Sequence, residues 1–378
     1  MAPPVLFAVR GGVGFARLNR PEALNALTVS AVRSLARMLS AWEQDPAVRA
    51  VVLEGAGEQA FCAGGDVRSL YEAGLRGDFA SAERFFREEY RLDLLVARYP
   101  KPVAAVLGGV VMGGGVGLTI HCPYRIVTEH TRWAMPETGI GFFPDVGSSY
   151  FLPRLPGRLG LYLALTGARL GPAELVGSGL ATHYVPAERL PRWRSSLEPE
   201  CFDASLAAVS EAPPDELRRS LSAELEECFS APSLSAVLAF LGRSRRPAVQ
   251  SILRELREKS PTSLRVTFRQ LTGRAVGRLE DAFRLEYRLS RRFLRGHDFY
   301  EGVRSVLVEK DRRPAWRPAR LEEVSEEQVE AHFEPLEDGS PDLRLSNRRR
   351  TTHDAIKASA LPADPMRVQP SVSRRRAK

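Results

Sequence analysis

Two carboxylates eight residues apart, Glu137 and Asp145, fall within Met135-Pro136-Glu137-Thr138-Gly139-Ile140-Gly141-Phe142-Phe143-Pro144-Asp145-Val146-Gly147. Phe142 and Phe143 lie between them, and an apolar wall raises a carboxyl pKa, which suits a general acid or base. Two glycine clusters offer the complementary donors. In Phe61-Cys62-Ala63-Gly64-Gly65-Asp66, glycines let backbone N–H groups face a ligand at close range. In Gly113-Gly114-Gly115-Val116-Gly117 they open a helix, whose free N–H groups form an anion or oxyanion site. Each feature also has a plain structural reading. The first cluster can be a turn, the second close helix–strand packing, Asp145 a helix cap and Glu137 a solvated loop residue. A dinucleotide loop is excluded, because G-x-G-x-x-G from Gly113 or Gly115 requires glycine where Leu118 or Ile120 stands.

These groups must be positioned by elements that the periodicity outlines. Val5 to Arg10 and Val13 to Leu18 read as a β-hairpin turning at Gly11-Gly12. Thr28 caps a helix with apolar positions Val32, Leu35, Leu39 and Trp42, ended by Asp45-Pro46. Val48–Leu53, Val103–Leu107, Tyr124–Thr128 and Thr182–Val185 read as strands; Ala82–Arg98, Leu159–Leu165 and Pro172–Ser178 read as helices, with a further helix from about Gly114. Strand–helix alternation indicates an α/β core. From Asp203 to Leu294 the spacing is helical, broken at Pro213-Pro214, Pro232 and Ser260-Pro261. The expected division is a core over 1–200, a helical region over 201–335, and a charged tail over 336–378.

Charge is segregated. Of 54 Lys and Arg and 46 Asp and Glu, residues 344–378 hold ten basic and two acidic groups, leaving 44 of each sign before them. The preceding residues 321–343 carry nine acidic groups and no Lys or Arg. Four scattered cysteines (Cys62, Cys122, Cys201, Cys228) form no CxxC pair and the six histidines no HExxH, so neither a disulfide framework nor a metal site is expected. Val103 to Ile120, the longest apolar stretch, contains six glycines and is poor spanning material, so no membrane segment is expected. The first ten residues show neither a secretory nor a mitochondrial leader pattern.

FCAGGD, MGGGVG and PETGIGFFPDVG, in this order, resemble the signature blocks of the enoyl-CoA hydratase/isomerase, or crotonase, superfamily. The resemblance continues through Leu18-Asn19-Arg20-Pro21, Ala23-Leu24-Asn25-Ala26-Leu27, Phe86-Arg87-Glu88-Glu89-Tyr90, Phe151-Leu152-Pro153-Arg154-Leu155 and His297-Asp298-Phe299-Tyr300-Glu301-Gly302-Val303-Arg304, covering about residues 5–335. The last two blocks and the helical region point to the branch that hydrolyses 3-hydroxyisobutyryl-CoA. The resemblance implies a ClpP/crotonase ββα spiral core with C-terminal helices, an acyl-CoA substrate and no cofactor. It assigns the N–H groups of Gly65 and Gly114 to an oxyanion hole. Glu137 becomes a general base or a nucleophile. Asp145 binds the 3-hydroxyl or steers the water or leaving group, and Glu89 contacts substrate. It further implies valine breakdown in the mitochondrial matrix, action also on 3-hydroxypropionyl-CoA, and allows a homo-oligomer, since superfamily members often form trimers or dimers of trimers.

Departures separate the branches. Hydratases in the superfamily carry a second glutamate three residues beyond the oxyanion glycine, where this chain has Gly117, and tend to have glycine at Asp145. Gly147-Ser148-Ser149 stands where the branch commonly has glycines, so its side chains are expected to narrow the pocket. Gly177-Ser178-Gly179 lacks the nucleophile-elbow pattern, His183 and His297 read as packing histidines, and Cys62 as a small apolar filler. The alternative is a ribosomal role, since a relative of these hydrolases belongs to some mitochondrial small ribosomal subunits. The basic tail would then meet RNA phosphates; otherwise it is a solvated tail, free to pair with the acidic stretch.

Overall fold

The computed structural model describes residues 2–214, 223–273, 276–336 and 343–345. A hairpin, β1 (Val5–Arg10) and β2 (Val13–Leu18), opens the chain. Gly11 and Gly12 join its strands at φ +56° and +81°, the backbone that a tight antiparallel turn requires. To β2 are added, all parallel, β3 (Ala50–Gly55), β5 (Val103–Leu107), β7 (Tyr124–Val127) and β9 (His183–Tyr184). The sheet order is β1-β2-β3-β5-β7-β9.

Three short strands, β4 (Ala60–Cys62), β6 (Val110–Met112) and β8 (Arg132–Ala134), form a second, parallel sheet in that order. Each follows one long strand and precedes a helical segment. This repeated strand–short strand–helix unit is the ββα spiral that the resemblance implies. Periodicity does not reveal these strands, because three residues beside glycines leave no alternation to detect. It places the first two signature blocks straight after long strands. They begin inside the short strands instead, at Phe61 and Cys62 in β4 and at Met112 in β6.

Alternation sorts the long strands between two apolar layers. Val51, Leu53, Val103, Ala105, Leu107 and Val127 face the main core. Ala50, Val52, Ala104, Val106 and Ile126 face Leu190, Trp193, Leu197, Phe202 and Leu206, which lie on both sides of residue 200. The strand read as Val48–Leu53 runs Ala50–Gly55, because Glu54 stays in the sheet. Its buried carboxylate is held by Arg17 at 2.5 Å and Arg194 at 2.9 Å.

The helix Phe79–Ala97 is capped by Asp78, whose side chain accepts from Ser81 N, so it starts three residues before the reading. Its inner stripe runs Ala82, Phe85, Phe86, Glu89, Tyr90, Asp93 and Val96, helical spacing with two acids in it. Helices between 223 and 258 pack on Leu161 and Leu165. The next helices, Pro261–Thr272, Leu279–Phe293 and His297–Val303, return to the main core through Val266, Phe283, Tyr287, Phe293 and Phe299. Ser260 and Pro261, read as a break, are the cap and first residue of a new helix.

No helix among the described residues is long and apolar enough to cross a membrane. The basic tail from 346 onward and residues 337–342 lie outside the described residues. Part of the acidic stretch already has partners in the fold, with Glu326 meeting Arg265 and Glu330 meeting Arg269.

Candidate active site

The second sheet is what gathers the chemistry. Its strands are parallel, so the segments leaving β4, β6 and β8 emerge on one side, and these segments carry Gly64-Gly65, Gly113-Gly114 and Glu137. The first is fixed by residues 20–27. Ala63 N donates to Leu24 O at 3.0 Å, Leu27 N to Gly64 O at 2.8 Å and Asp66 N to Leu27 O at 2.9 Å. Asn25 holds that segment to the β3–β4 connection by donating to Ala56 O and Ala60 O. Arg20 ties it to Asp66 at 3.2 Å. Gly64 sits at φ +109°, which a side chain would strain.

The two glycine turns abut. A β-carbon on Gly64 would lie 3.6 Å from Gly114 N, and one on Gly114 would lie 3.3 Å from Gly65 N and only 2.1 Å from Glu89 Oε1. On the other side, a β-carbon on Gly113 would come within 3.2 Å of Glu137 Oε1. Among the described residues, no hydrogen bond runs from Gly65 N–H or Gly114 N–H to a protein acceptor. Two donors without partners, flanked by Glu89 and Glu137, can hold a developing oxyanion.

Both bland readings of the carboxylates fail. Glu137 is 5% exposed, with Oε2 lacking a partner, and opens the short 3₁₀ turn Glu137–Ile140. The His297–Val303 helix presses on this turn, because Gly302 leaves no β-carbon to strike Ile140. Asp145 does not cap the following helix, whose cap is Gly147 without a side-chain bond. Instead it accepts a hydrogen bond of 2.6 Å from Tyr90 Oη. The expected apolar wall is present: Phe142 stacks on Phe86 at 5.4 Å and Phe143 packs on Phe293 at 5.2 Å.

Five buried carboxyls form one electrostatic cluster: Glu89, Asp93, Glu137, Asp145 and Glu286. Burial, then the charge of Asp145, holds Glu137 well above the carboxylate range. Burial, then the charges of Asp93, Asp145 and Glu137, does the same to Glu89. Burial pushes Asp145 up to about 7, against the Tyr90 hydrogen bond. A carboxyl held at about 7, as Asp145 is, exchanges protons near neutrality, which ordinary surface carboxylates do not.

Sequence reasoning misses Tyr90, Asp93, Glu286 and Gln270. The available signal is Asp93, an acid four residues after Glu89 on the same apolar stripe. Neither of its oxygens has a partner. Gly117 belongs with it, since a β-carbon there would lie 2.7 Å from Asp93 Oδ2 and 2.4 Å from Val146 Cβ. The space a side chain at 117 would need is filled. Val146 itself stands at φ +53°, a conformation that costs a β-branched residue about 1–3 kcal/mol.

The hydroxyls of Ser148 and Ser149 are taken up by Pro144 O and by the C-terminal helices. Ser148 Oγ donates to Pro144 O, and Ser149 Oγ accepts from Gln270 Nε2 at 2.8 Å. Hydroxyls find partners there that a run of glycines would lack. Cys62 is a buried filler, its thiol pushed up to about 12 mainly by burial. His183 bonds to Thr182, His297 to Asp298, and Ser178 to Leu175 O at a helix end.

The model of the family described as enoyl-CoA hydratase/isomerase matches residues 13–333. The chain is 44% identical over 355 residues to the mitochondrial 3-hydroxyisobutyryl-CoA hydrolase of Gallus gallus, covering 91% of each protein. It is 42% identical to the Homo sapiens protein of that name, again over 91% of each. Among solved structures it resembles a carnitinyl-CoA dehydratase from Mycobacterium thermoresistibile, with a TM-score of 0.84 and 42% identity over 92% of this chain and 100% of that one. An enoyl-CoA hydratase from Rhodobacter sphaeroides follows at 0.77 and 37% identity, over 88% and 98%.

Proposed function

The chain belongs to the enoyl-CoA hydratase/isomerase family, and on that footing we propose that it hydrolyses the thioester of 3-hydroxyisobutyryl-CoA, and of 3-hydroxypropionyl-CoA, to the free hydroxy acid and CoA. The observation that carries this reading is the meeting of two N–H groups without acceptors among the described residues, on Gly65 and Gly114, with the buried carboxyls of Glu137 and Asp145. The thioester carbonyl oxygen accepts from both glycines, and each donor contributes about 3 kcal/mol as negative charge develops there. Glu137 in its carboxylate form takes a proton from the attacking water, or attacks the carbonyl carbon itself, expelling the CoA sulfur and leaving an acyl anhydride that water then hydrolyses. Raised basicity favours either task. Asp145, poised near neutrality, binds the 3-hydroxyl or returns a proton to the departing sulfur. Glu89 borders the acyl group beside Gly114.

Hydration of a double bond is the rival suggested by the names of the solved relatives. Against it stands Gly117, where Asp93 and Val146 occupy the room that a second glutamate would need. The hydrolase relatives are named mitochondrial, and a place in the mitochondrial matrix, in valine breakdown, belongs to the same reading. The test is to incubate purified protein separately with 3-hydroxyisobutyryl-CoA and crotonyl-CoA and analyse products by mass spectrometry. Free CoA from the first and no water adduct of the second is expected. Hydration of crotonyl-CoA without thiol release from the first substrate would overturn the proposal.

A further inference from the structure

The turn that carries Asp145 closes through Ser148 N, which donates to Asp145 O at 2.9 Å, and through Ser148 Oγ, which donates to Pro144 O. Val146 and Gly147 both take positive φ, +53° and +89°, immediately after the carboxylate. Val146 is fully buried and wedged over Gly117, so its side chain is committed to this shape. That one backbone bond leaves Val146 strained at its positive φ, and further restraint comes from the C-terminal helices. Glu286, on Leu279–Phe293, accepts from Gly147 N at 2.6 Å through Oε2 and from Ser149 N at 2.8 Å through Oε1. Gln270, on Pro261–Thr272, donates through Nε2 to Pro144 O at 2.8 Å and Ser149 Oγ at 2.8 Å. Every one of these bonds is buried, and together they grip the chain on both sides of Asp145.

Burial pushes the Glu286 carboxyl up to about 8, a costly placement for securing a turn unless both of its oxygens are needed at once. Here they are, because the N–H groups of Gly147 and Ser149 converge on it. A glutamine at 286 would set its NH₂ against one of those donors. We propose that Glu286, assisted by Gln270, is a positioning residue that holds the left-handed Val146-Gly147 turn and thereby aims Asp145 at the substrate. This rests on the reading of Asp145 given above, and it gives the C-terminal helices a part in the reaction.

The experiment uses the full chain and the variants Asp145→Asn, Glu286→Gln, Gln270→Met, Val146→Gly and the double variant Val146→Gly/Glu286→Gln. Thiol release from 3-hydroxyisobutyryl-CoA and amide hydrogen exchange over residues 142–150 are measured for each. Displacement of a group by about 1 Å costs on the order of 100-fold in rate, so Glu286→Gln should lower kcat by ~10–100-fold with KM within about twofold. Gln270→Met should lower it less, and serves if Glu286→Gln fails to fold. Exchange should quicken over 142–150 and not elsewhere. Glycine takes positive φ without strain, so in the Val146→Gly background the further loss on Glu286→Gln should shrink to under about threefold. A kcat unchanged in Glu286→Gln while Asp145→Asn is impaired overturns the proposal, as does an equal loss in both backgrounds. If Asp145→Asn is itself silent, the functional reading fails instead. Exchange at 142–150 then still decides whether Glu286 holds the turn.

Discussion

Replacing Asp145 by asparagine should stabilise the protein, and do so increasingly as pH rises. Burial lifts the Asp145 carboxyl from its ordinary 3.8 to about 7. In the unfolded chain the same group ionises near pH 4. Between about pH 4 and 7 the native state therefore keeps a proton that the unfolded state has lost, and stability falls as pH rises through that window. About three pK units at roughly 1.4 kcal/mol each give about 4 kcal/mol by pH 8. Glu89, Asp93 and Glu286 share the same cluster and respond to the same ionisation, so about half, ~2 kcal/mol, is expected from neutralising one member. For a chain of this size that raises Tm by about 2–3 °C at pH 8, and by ~1 °C at pH 5. Asparagine Oδ1 can still accept from Tyr90 Oη, so the geometry is retained. Thermal melts of wild type and Asp145→Asn across pH 5 to 8 make the test. An equal or lower Tm for the variant at pH 8, or a gain that shrinks as pH rises, would show that the folded protein does not hold Asp145 protonated.

Other consequences are as direct. Gly114→Ala places a β-carbon 2.1 Å from Glu89 Oε1, so kcat should fall about 100-fold while the circular dichroism spectrum is kept. In kcat against pH, the acid limb should lie above the range of a free glutamate, because burial and Asp145 hold Glu137 up. Asp145→Asn removes that negative charge, so whatever rate remains should show its limb at lower pH; an unmoved limb would count against Glu137 as the titrating group. With a thiol reagent at pH 8, Cys201 should react at once, whereas buried Cys62, Cys122 and Cys228 should wait for denaturant. Cys62→Ala should keep activity within about threefold, and a larger loss would make Cys62 more than a filler.

Long elements are legible because their patterns are long. β1, β2 and β5 run over the residues that apolar runs and glycine turns predict, and Thr28 caps its helix as its type suggests. The second sheet is not legible, although it is what brings Gly65, Gly114 and Glu137 to one side. Strands of three residues depend on their neighbours for existence, and local sequence carries almost none of that information. The site itself is visible only in the order of its blocks, since glycine turns and loop carboxylates are individually common. Glu286 marks where sequence reasoning stops. It is 139 residues from Gly147, and on its own helix it is one more glutamate. Only the fold sets its carboxylate against two N–H groups of the Asp145 turn. The partners of Ser148 and Ser149 are out of reach for a related reason, because the direction of their hydroxyls is set by Gln270 and Pro144 O.

In the proposed reaction, Glu137 hydrolyses a thioester whose carbonyl is held by Gly65 and Gly114. Its most direct test is release of CoA thiol from 3-hydroxyisobutyryl-CoA by wild type and Glu137→Gln, alongside the substrate affinity of each. The wild type should release thiol catalytically, and the variant should lose about 1,000-fold or more in kcat while binding substrate with similar Kd. No release by the wild type from this substrate or from 3-hydroxypropionyl-CoA, or an unchanged rate in the variant, would contradict the account.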